Sequence, residues 1–275
     1  MPPLIWLQLG RENYSERKRG DRPWARPPWG AKSRTLNPCR RTVPLMPVFQ
    51  LSDTIYFPPP ELARDDGLLA IGGDLSPERL LLAYQMGIFP WYAAGDPILW
   101  WAPSPRLILK PQEFHLSRRL ARDLRKGLFA FSMDSAFREV IDACAQVRTL
   151  QGQPTWINQE MIDAYCLLHQ LGYAHSLECW QQGKLVGGLY GVSVGGCFFG
   201  ESMFSRATNS SKAALAVLAG QLAIWGFDCI DCQMRTEHLI SLGAQEVPGD
   251  RFFSMLQRSI LHRDRRGKWL LECSL

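Results

Sequence analysis

Residues 175–204 read HSLECWQQGKLVGGLYGVSVGGCFFGESMF. Three runs rich in apolar, β-branched and aromatic residues are separated by QQGK and by the Gly195-Gly196 pair, which is the pattern of three strands joined by tight hairpins. Downstream, Ser210 or Ser211 stands where a cap is needed for a long apolar helix, KAALAVLAGQLAIWG, which Gly226 ends. FDCIDCQM (227–234) then reads as a buried strand, HLISLG (238–243) as a short helix, and the last residues as an edge strand. Upstream, RLILKP (106–111) alternates like a strand and 115–127 is a helix capped by Ser117 or His115 and stopped by Gly127. FAFSMD (129–134) is a further strand, and 135–144 and 159–171 are helices.

Farther out the texture changes twice. Residues 46–104 are dense in turns and aromatics and form a small α+β unit. Within it Ser76 is an N-cap, Pro77 sits at N1, Leu80, Leu81 and Tyr84 make a helical face, and Gly87 closes the helix. Residues 1–45 have no helical or strand period, are proline-rich and carry the basic cluster Arg17, Lys18 and Arg19, so they are expected to be a disordered extension with the natural start at Met46. That segment holds ten of the 31 basic and three of the 26 acidic residues, so the body is left with 21 against 23. A basic pI of this origin implies no global field; a nucleic-acid site in the body must be a local patch.

Such a patch is present. Arg118, Arg122 and Arg125 fall at helical spacing, with Arg119 and Lys126 beside them and only Asp123 opposing, which fits a phosphate-contacting surface. The 46% hydrophobic content excludes a disordered chain, and no apolar run approaches the ~20 residues of a membrane span. Eight cysteines are too few for a disulfide scaffold and no secretory signal precedes them, so reduced thiols in a cytoplasm are expected.

Chemistry concentrates in the strands. Glu201 is one acid among Phe198, Phe199, Met203 and Phe204, where an unpaired charge is costly unless it is used or paired, for example with Arg206. Asp231 and Gln233 are two apart in an apolar strand and so are expected on one face. The C-x-x-C of Cys229 and Cys232 lacks a second ligand pair, so no metal is expected. His175 with Ser202 or Ser205 lacks a G-x-S-x-G elbow, and the glycine runs match no P-loop or dinucleotide fingerprint. Phe89, Trp91, Tyr92, Trp100 and Trp101, joined by Trp156, are either core or a platform on which a base could stack.

The element order, helices, a meander, a long helix, a buried strand and a short helix, is that of a GCN5-related acyltransferase core, in which two central strands splay to admit an acyl donor. GLLAIGGDLSPERLLLAYQMGIFPWY, GDPILWWAPSPR, TWIN, LGYAHSLECW, LVGGLYGV, FFGESMFSR, SKAALAVL and DCQ together resemble the bacterial leucyl/phenylalanyl-tRNA–protein transferases over about 49–260. The resemblance implies an α/β (α+β) protein with a small N-terminal α+β domain over 46–104 and an acyltransferase-like catalytic domain over 105–275. It implies transfer of Leu or Phe, also Met, from aminoacyl-tRNA to the α-amine of proteins beginning with Arg or Lys, marking them for N-end rule degradation, with no cofactor and no metal.

By the same resemblance Glu201, Asp231 and Gln233 are catalytic, Trp91 and Trp156 stack the tRNA end, and Leu189, Phe198, Met203, Leu218 and Ile230 line the aminoacyl pocket. Arg118, Arg119, Arg122, Arg125 and Lys126 are then expected on the tRNA stem, in a protein that acts as a monomer. Either Asp231 polarises Gln233 or it orients the amine itself, with Glu201 binding the cationic residue; exchanging the two acids fits the sequence equally well. A coenzyme-A acetyltransferase of the same fold would carry a glycine-rich pyrophosphate loop where this chain reads SRATNSSKAAL.

Overall fold

The computed structural model describes residues 48–150 and 155–272, so the 1–45 extension lies outside the described residues. A four-stranded sheet in the order β1-β2-β4-β3 is made of Phe49–Leu51 (β1), Leu68–Gly72 (β2), Phe89–Pro90 (β3) and Leu99–Trp101 (β4), with helix α1 at Pro77–Gln85. Ser76 is at the cap position but its hydroxyl makes no capping bond; Pro77 follows at the first helical position, and Gly87 closes the helix at φ +72°.

The larger sheet has seven strands in the order β11-β5-β10-β9-β8-β7-β6. They are Arg106–Leu109 (β5), Ala130–Met133 (β6), Ala174–Gln181 (β7), Lys184–Val194 (β8), Cys197–Ser205 (β9), Cys229–Asp231 (β10) and Gln245–Val247 (β11). The predicted meander is β7-β8-β9, turning at Gln182-Gly183 and at Gly195, all with positive φ. β10 runs parallel to β9, while β5 is antiparallel to β10. A parallel neighbour needs a crossover, and helix α5 (Ser210–Ile224) supplies it. The other helices are α2 (Arg118–Arg125), α3 (Phe137–Leu150), α4 (Gln159–Gln170), α6 (Glu237–Ile240) and α7 (Gly249–Ser259).

Ser117 caps α2 by accepting from the Leu120 N–H, as expected, but α5 is capped differently. Its N-cap is Asn209 in the left-handed region, φ +66°, and Ser210 and Ser211 lie inside the helix. The Ser210 hydroxyl instead donates to the Val186 and Ala207 carbonyls, pinning the helix start to β8. This approach is so close that a Cβ on Gly187 would fall 2.5 Å from Ser210 Oγ. α7 was not anticipated, although Phe252, Phe253 and Leu256 give it a buried stripe. The edge strand expected at the end of the chain is instead β11, upstream of α7, and the described residues after α7 form no strand.

The helices divide between the two faces of the large sheet. Side chains alternate along a strand, so Glu178, Gly188 and Tyr190 share one face; there Tyr190 meets Phe137 of α3 and Tyr165 of α4. Leu189 and Gly187 point to the other, where α5 lies. None of the described helices is long and apolar enough to cross a membrane.

Candidate active site

β9 and β10 pair only over Cys197–Phe199 and Cys229–Asp231. β10 then stops while β9 continues to Ser205, and the strands part. Glu201 stands on β9 just past the parting. Gly191 pairs with Gly200 and Tyr190 with Ser202, so Glu201 is the extra residue of a β-bulge, a device that re-aims one side chain and alters the phase of the rest. Phe198 and Met203 are five apart and would face opposite ways on a regular strand. Their partners, Ser193 and Leu189, are four apart on β8, so the bulge brings both to the α5 face.

Glu201 is 2% exposed and forms no ion pair among the described residues. Tyr84 Oη donates to Oε1 at 2.8 Å, Tyr165 Oη to Oε2 at 3.0 Å and Gln233 Nε2 to Oε1 at 3.4 Å. Burial dominates over these hydroxyl donors, and Asp231 adds a smaller repulsion, so the pKa rises to about 7. The expected ion pair to Arg206 is not formed: Arg206 bonds the Leu185 carbonyl and Gln146 and lies over Phe204.

Asp231 is also fully buried but answers to Arg106, whose Nε and Nη2 reach its two oxygens at 2.9 and 2.7 Å. The guanidinium is itself fully buried, 4.8 Å from the ring centres of Phe89 on β3 and Phe252 on α7. Bidentate geometry and complete burial make this a strong, directional pair. Asp231 Oδ1 further accepts the Gln233 N–H at 2.9 Å. The expectation that Asp231 and Gln233 share one strand face is corrected: β10 ends at Asp231, and Gln233 sits at φ +57°, held by Asp231 and by its carbonyl accepting Leu107 N–H at 3.2 Å. That turn, not alternation, swings its side chain to Glu201. Gln233 Oε1 is buried and has no hydrogen-bond partner among the described residues.

On the α5 face, Ile230 and Phe198 are register partners, as are Leu189 and Met203, so these four share that side of the sheet. Leu218 lies on α5 itself and is 1% exposed. Trp91 and Trp156 are buried at 8% and 3%, with Trp91 tilted against Trp101 and Trp156 Nε1 without a hydrogen-bond partner among the described residues. Arg118, Arg119, Arg122, Arg125 and Lys126 are all exposed on and just after α2, whose Leu120 packs on Ala213 and Ala216 of α5. Cys229 faces Cys197 at 3.2 Å rather than Cys232, so the C-x-x-C is two separate core residues. His175 bonds Asp134 at 2.8 Å and stacks on Trp269, which places it in the core. Among the described residues no group of three His, Cys, Asp or Glu is placed to hold a metal.

Three residues of this site went unread in the sequence. Tyr84 and Tyr165 carry only helical periodicity, and Arg106 opens a strand after a proline loop, where an arginine is ordinarily solvated.

Two family models match the chain in tandem. Residues 73–104 match the N-terminal domain of leucyl/phenylalanyl-tRNA–protein transferase and 108–257 match the transferase itself. The leucyl/phenylalanyl-tRNA–protein transferase of Desulfatibacillum aliphaticivorans is 59% identical over 82% of this chain and 97% of its own. That of Myxococcus xanthus is 51% identical over 82% and 97%. Among solved structures, a GCN5-related N-acetyltransferase from Kribbella flavida aligns over 64% of this chain and 63% of its own, with TM-score 0.32 and 10% identity. Matched by both family models and at such identity over nearly the whole length of these relatives, the chain belongs to the leucyl/phenylalanyl-tRNA–protein transferases, enzymes that move an aminoacyl group from tRNA to protein.

Proposed function

We propose that this transferase carries Leu, Phe or Met to proteins beginning with Arg or Lys, and that Gln233 and Glu201 handle the amine. The observation that carries the reading is the buried, unpartnered Gln233 Oε1 beside a carboxyl poised near neutrality. The α-amine nitrogen attacks the ester carbonyl, the bond from that carbon to the tRNA 3′ oxygen breaks, and the proton lost by the amine ends on that oxygen. The ester is already activated, so the remaining work is orientation and proton handling. Gln233 Oε1 accepts an amine N–H and aims the lone pair, and Glu201, ionised above about pH 7, takes the proton and relays it.

Asp231 then does not touch the amine. Both its oxygens are engaged by Arg106 and one also by the Gln233 N–H, so it acts by fixing Gln233. The choice of a cationic acceptor falls to Glu201, the buried acid of this pair without an ion-pair partner. Leu189, Phe198, Met203, Leu218 and Ile230 form the aminoacyl pocket, Trp91 and Trp156 border the tRNA end, and the α2 cations hold the stem by its phosphates. We also propose the acyltransferase-like reading for 105–275, a supporting domain over 46–104, monomeric action in the cytoplasm and a place in N-end rule degradation. Peptides starting with Arg or Lys should accept Leu from Leu-tRNA, and the same peptide starting with Glu should not; equal transfer to all three would sink the account of acceptor choice.

A further inference from the structure

The charge of the body is not evenly spread. Outside residues 118–126 and 258–272 the segment from 46 onward has eleven basic against twenty acidic residues. Residues 118–126 carry five cations and one acid, and residues 258–272 carry five cations and two acids. The second island, RSILHRDRRGKWLLE, has no part in the site described above.

We infer that the 258–268 segment is a second seat for the phosphate backbone of the tRNA, separate from α2. The inference rests on aminoacyl-tRNA being the donor, and it stands or falls independently of α2. Arg258, Arg263 and Lys268 are exposed and form no ion pair among the described residues. The acids nearby are already engaged. Asp264 accepts the Gly195 N–H, Asp228 accepts from Ser259 Oγ at 2.6 Å and faces His262 at 3.8 Å, and Glu272 pairs with Arg265.

The segment is also fixed rather than loose. Trp269 is 2% exposed, stacks on His175 with ring centres 3.7 Å apart, and donates its backbone N–H to Asp134 and its indole N–H to the Arg265 carbonyl. Arg265 lies 4.0 Å over the Trp225 ring and Arg266 lies 4.5 Å over that of Tyr173. Arginines stacked on aromatic rings stay charged, and although Arg265 spends one nitrogen on Glu272 and Arg266 one on the Leu171 carbonyl, each guanidinium has further N–H donors to offer a phosphate. Arg258 and His262 additionally line a cleft of about 550 Å³ floored by Phe227 and Met255, which gives the ledge a recess beside it.

Its position relative to α2 suits one long polyanion. α2 meets the first turns of α5 through Leu120 and through Asp123 accepting from Asn209 at 3.2 Å. The basic segment meets the last turns, through Trp225 and through Gln221 accepting the Glu272 N–H at 2.7 Å. α5 is fifteen residues long, about 22 Å at ~1.5 Å per residue, and the two islands meet it toward its opposite ends. A duplex stem presents a continuous row of phosphates over such a distance, whereas an extended acceptor peptide offers no matching row of anions.

The test is Arg263→Ala with Lys268→Ala in the full chain, both residues being exposed and outside the core. Titrations with deacylated tRNA across a salt series should show weaker binding and a log–log salt slope flatter by roughly 1.4–1.8, from ~0.7–0.9 per lost contact. Transfer of Leu from aminoacylated adenosine to an Arg peptide should stay within about twofold of wild type, and the charge-retaining Arg263→Lys with Lys268→Arg should restore the slope. An unchanged slope, or a loss that the charge-retaining variant does not restore, would overturn the inference. So would an effect confined to the KM for a protein acceptor, which would make the segment a protein-docking surface. If Arg118→Ala with Arg122→Ala flattens the slope while this variant does not, the second seat is refuted and the α2 reading stands; the reverse result refutes α2 alone.

Discussion

Glu201 and Asp231 are two carboxyls, both fully enclosed, flanking the place where β9 and β10 part, and they are treated in opposite ways. Asp231 is matched by a guanidinium through two bonds and has no freedom left. Glu201 receives two phenol hydroxyls and one amide, and its pKa rises to about 7. Neighbouring acids whose environments differ in this way divide the labour: one is a fixed anchor and the other a group that can change state at working pH.

The largest effect should come from breaking the anchor. Asp231→Ala leaves Arg106 buried without its counter-ion, and losing one partner of such a pair costs about 3–5 kcal/mol. Denaturant unfolding should show that loss, together with a transfer rate lowered ~100-fold or more. Gln233→Ala separates the two consequences. It should retain near-normal stability and tRNA affinity while the rate falls ~100-fold, the cost typical of one missing reaction-centre hydrogen bond. Rates within about threefold of wild type would show that Asp231 holds the fold and serves nothing beyond it.

The titratable acid gives the next effect. The folded pKa of about 7 lies above the ordinary carboxyl value of 4.5, so the folded state binds the Glu201 proton more tightly than the unfolded chain does. The resulting stabilisation is complete below about pH 4.5 and is lost as pH rises through 7, about 3 kcal/mol at 1.36 kcal/mol per unit. Over the same interval the transfer rate should rise as the carboxylate forms. Glu201→Gln should flatten the stability profile in this window and remove the rise in rate near pH 7; an unchanged stability profile would place the ionisation elsewhere. The smallest effect belongs to the surface. Arg118→Ala with Arg122→Ala should flatten the tRNA salt slope by roughly 1.5, spare transfer from aminoacylated adenosine, and move the melting temperature little, because exposed charges contribute little to folding.

How far the sequence led follows the same contrast. Glu201 and Asp231 were legible because an acid inside an apolar strand is conspicuous, and the meander and long helix because their periods are long and their turns glycine-marked. Arg106 was not, since its importance lies in partners 125 residues away and in rings from β3 and α7 that close over it. The posture of Gln233 was misjudged because alternation was extended past the point where β10 ends; the residue that breaks it, Gln233 itself at positive φ, has no glycine to announce it. The Asn209 cap was hidden by two serines that looked better suited to the position. α7, by contrast, could have been found from Phe252, Phe253 and Leu256.

The bulge at Glu201 lets the acid of β9 and the apolar walls on either side of it be changed separately. Replacing one apolar wall by another of similar volume leaves every side chain pointing where it did, so the pocket can drift in shape and in preference for its aminoacyl group. Removing a single residue between 200 and 202 is a different kind of change. Without Glu201 the strand returns to regular alternation, with Gly200 still opposite Gly191 and Ser202 opposite Tyr190, so Met203 and Phe204 keep their faces and what is lost is the carboxyl among the tyrosines. Loss of this residue should therefore cost transfer more than fold, and a design that remodels donor choice should keep the bulge and its acid while it varies the walls.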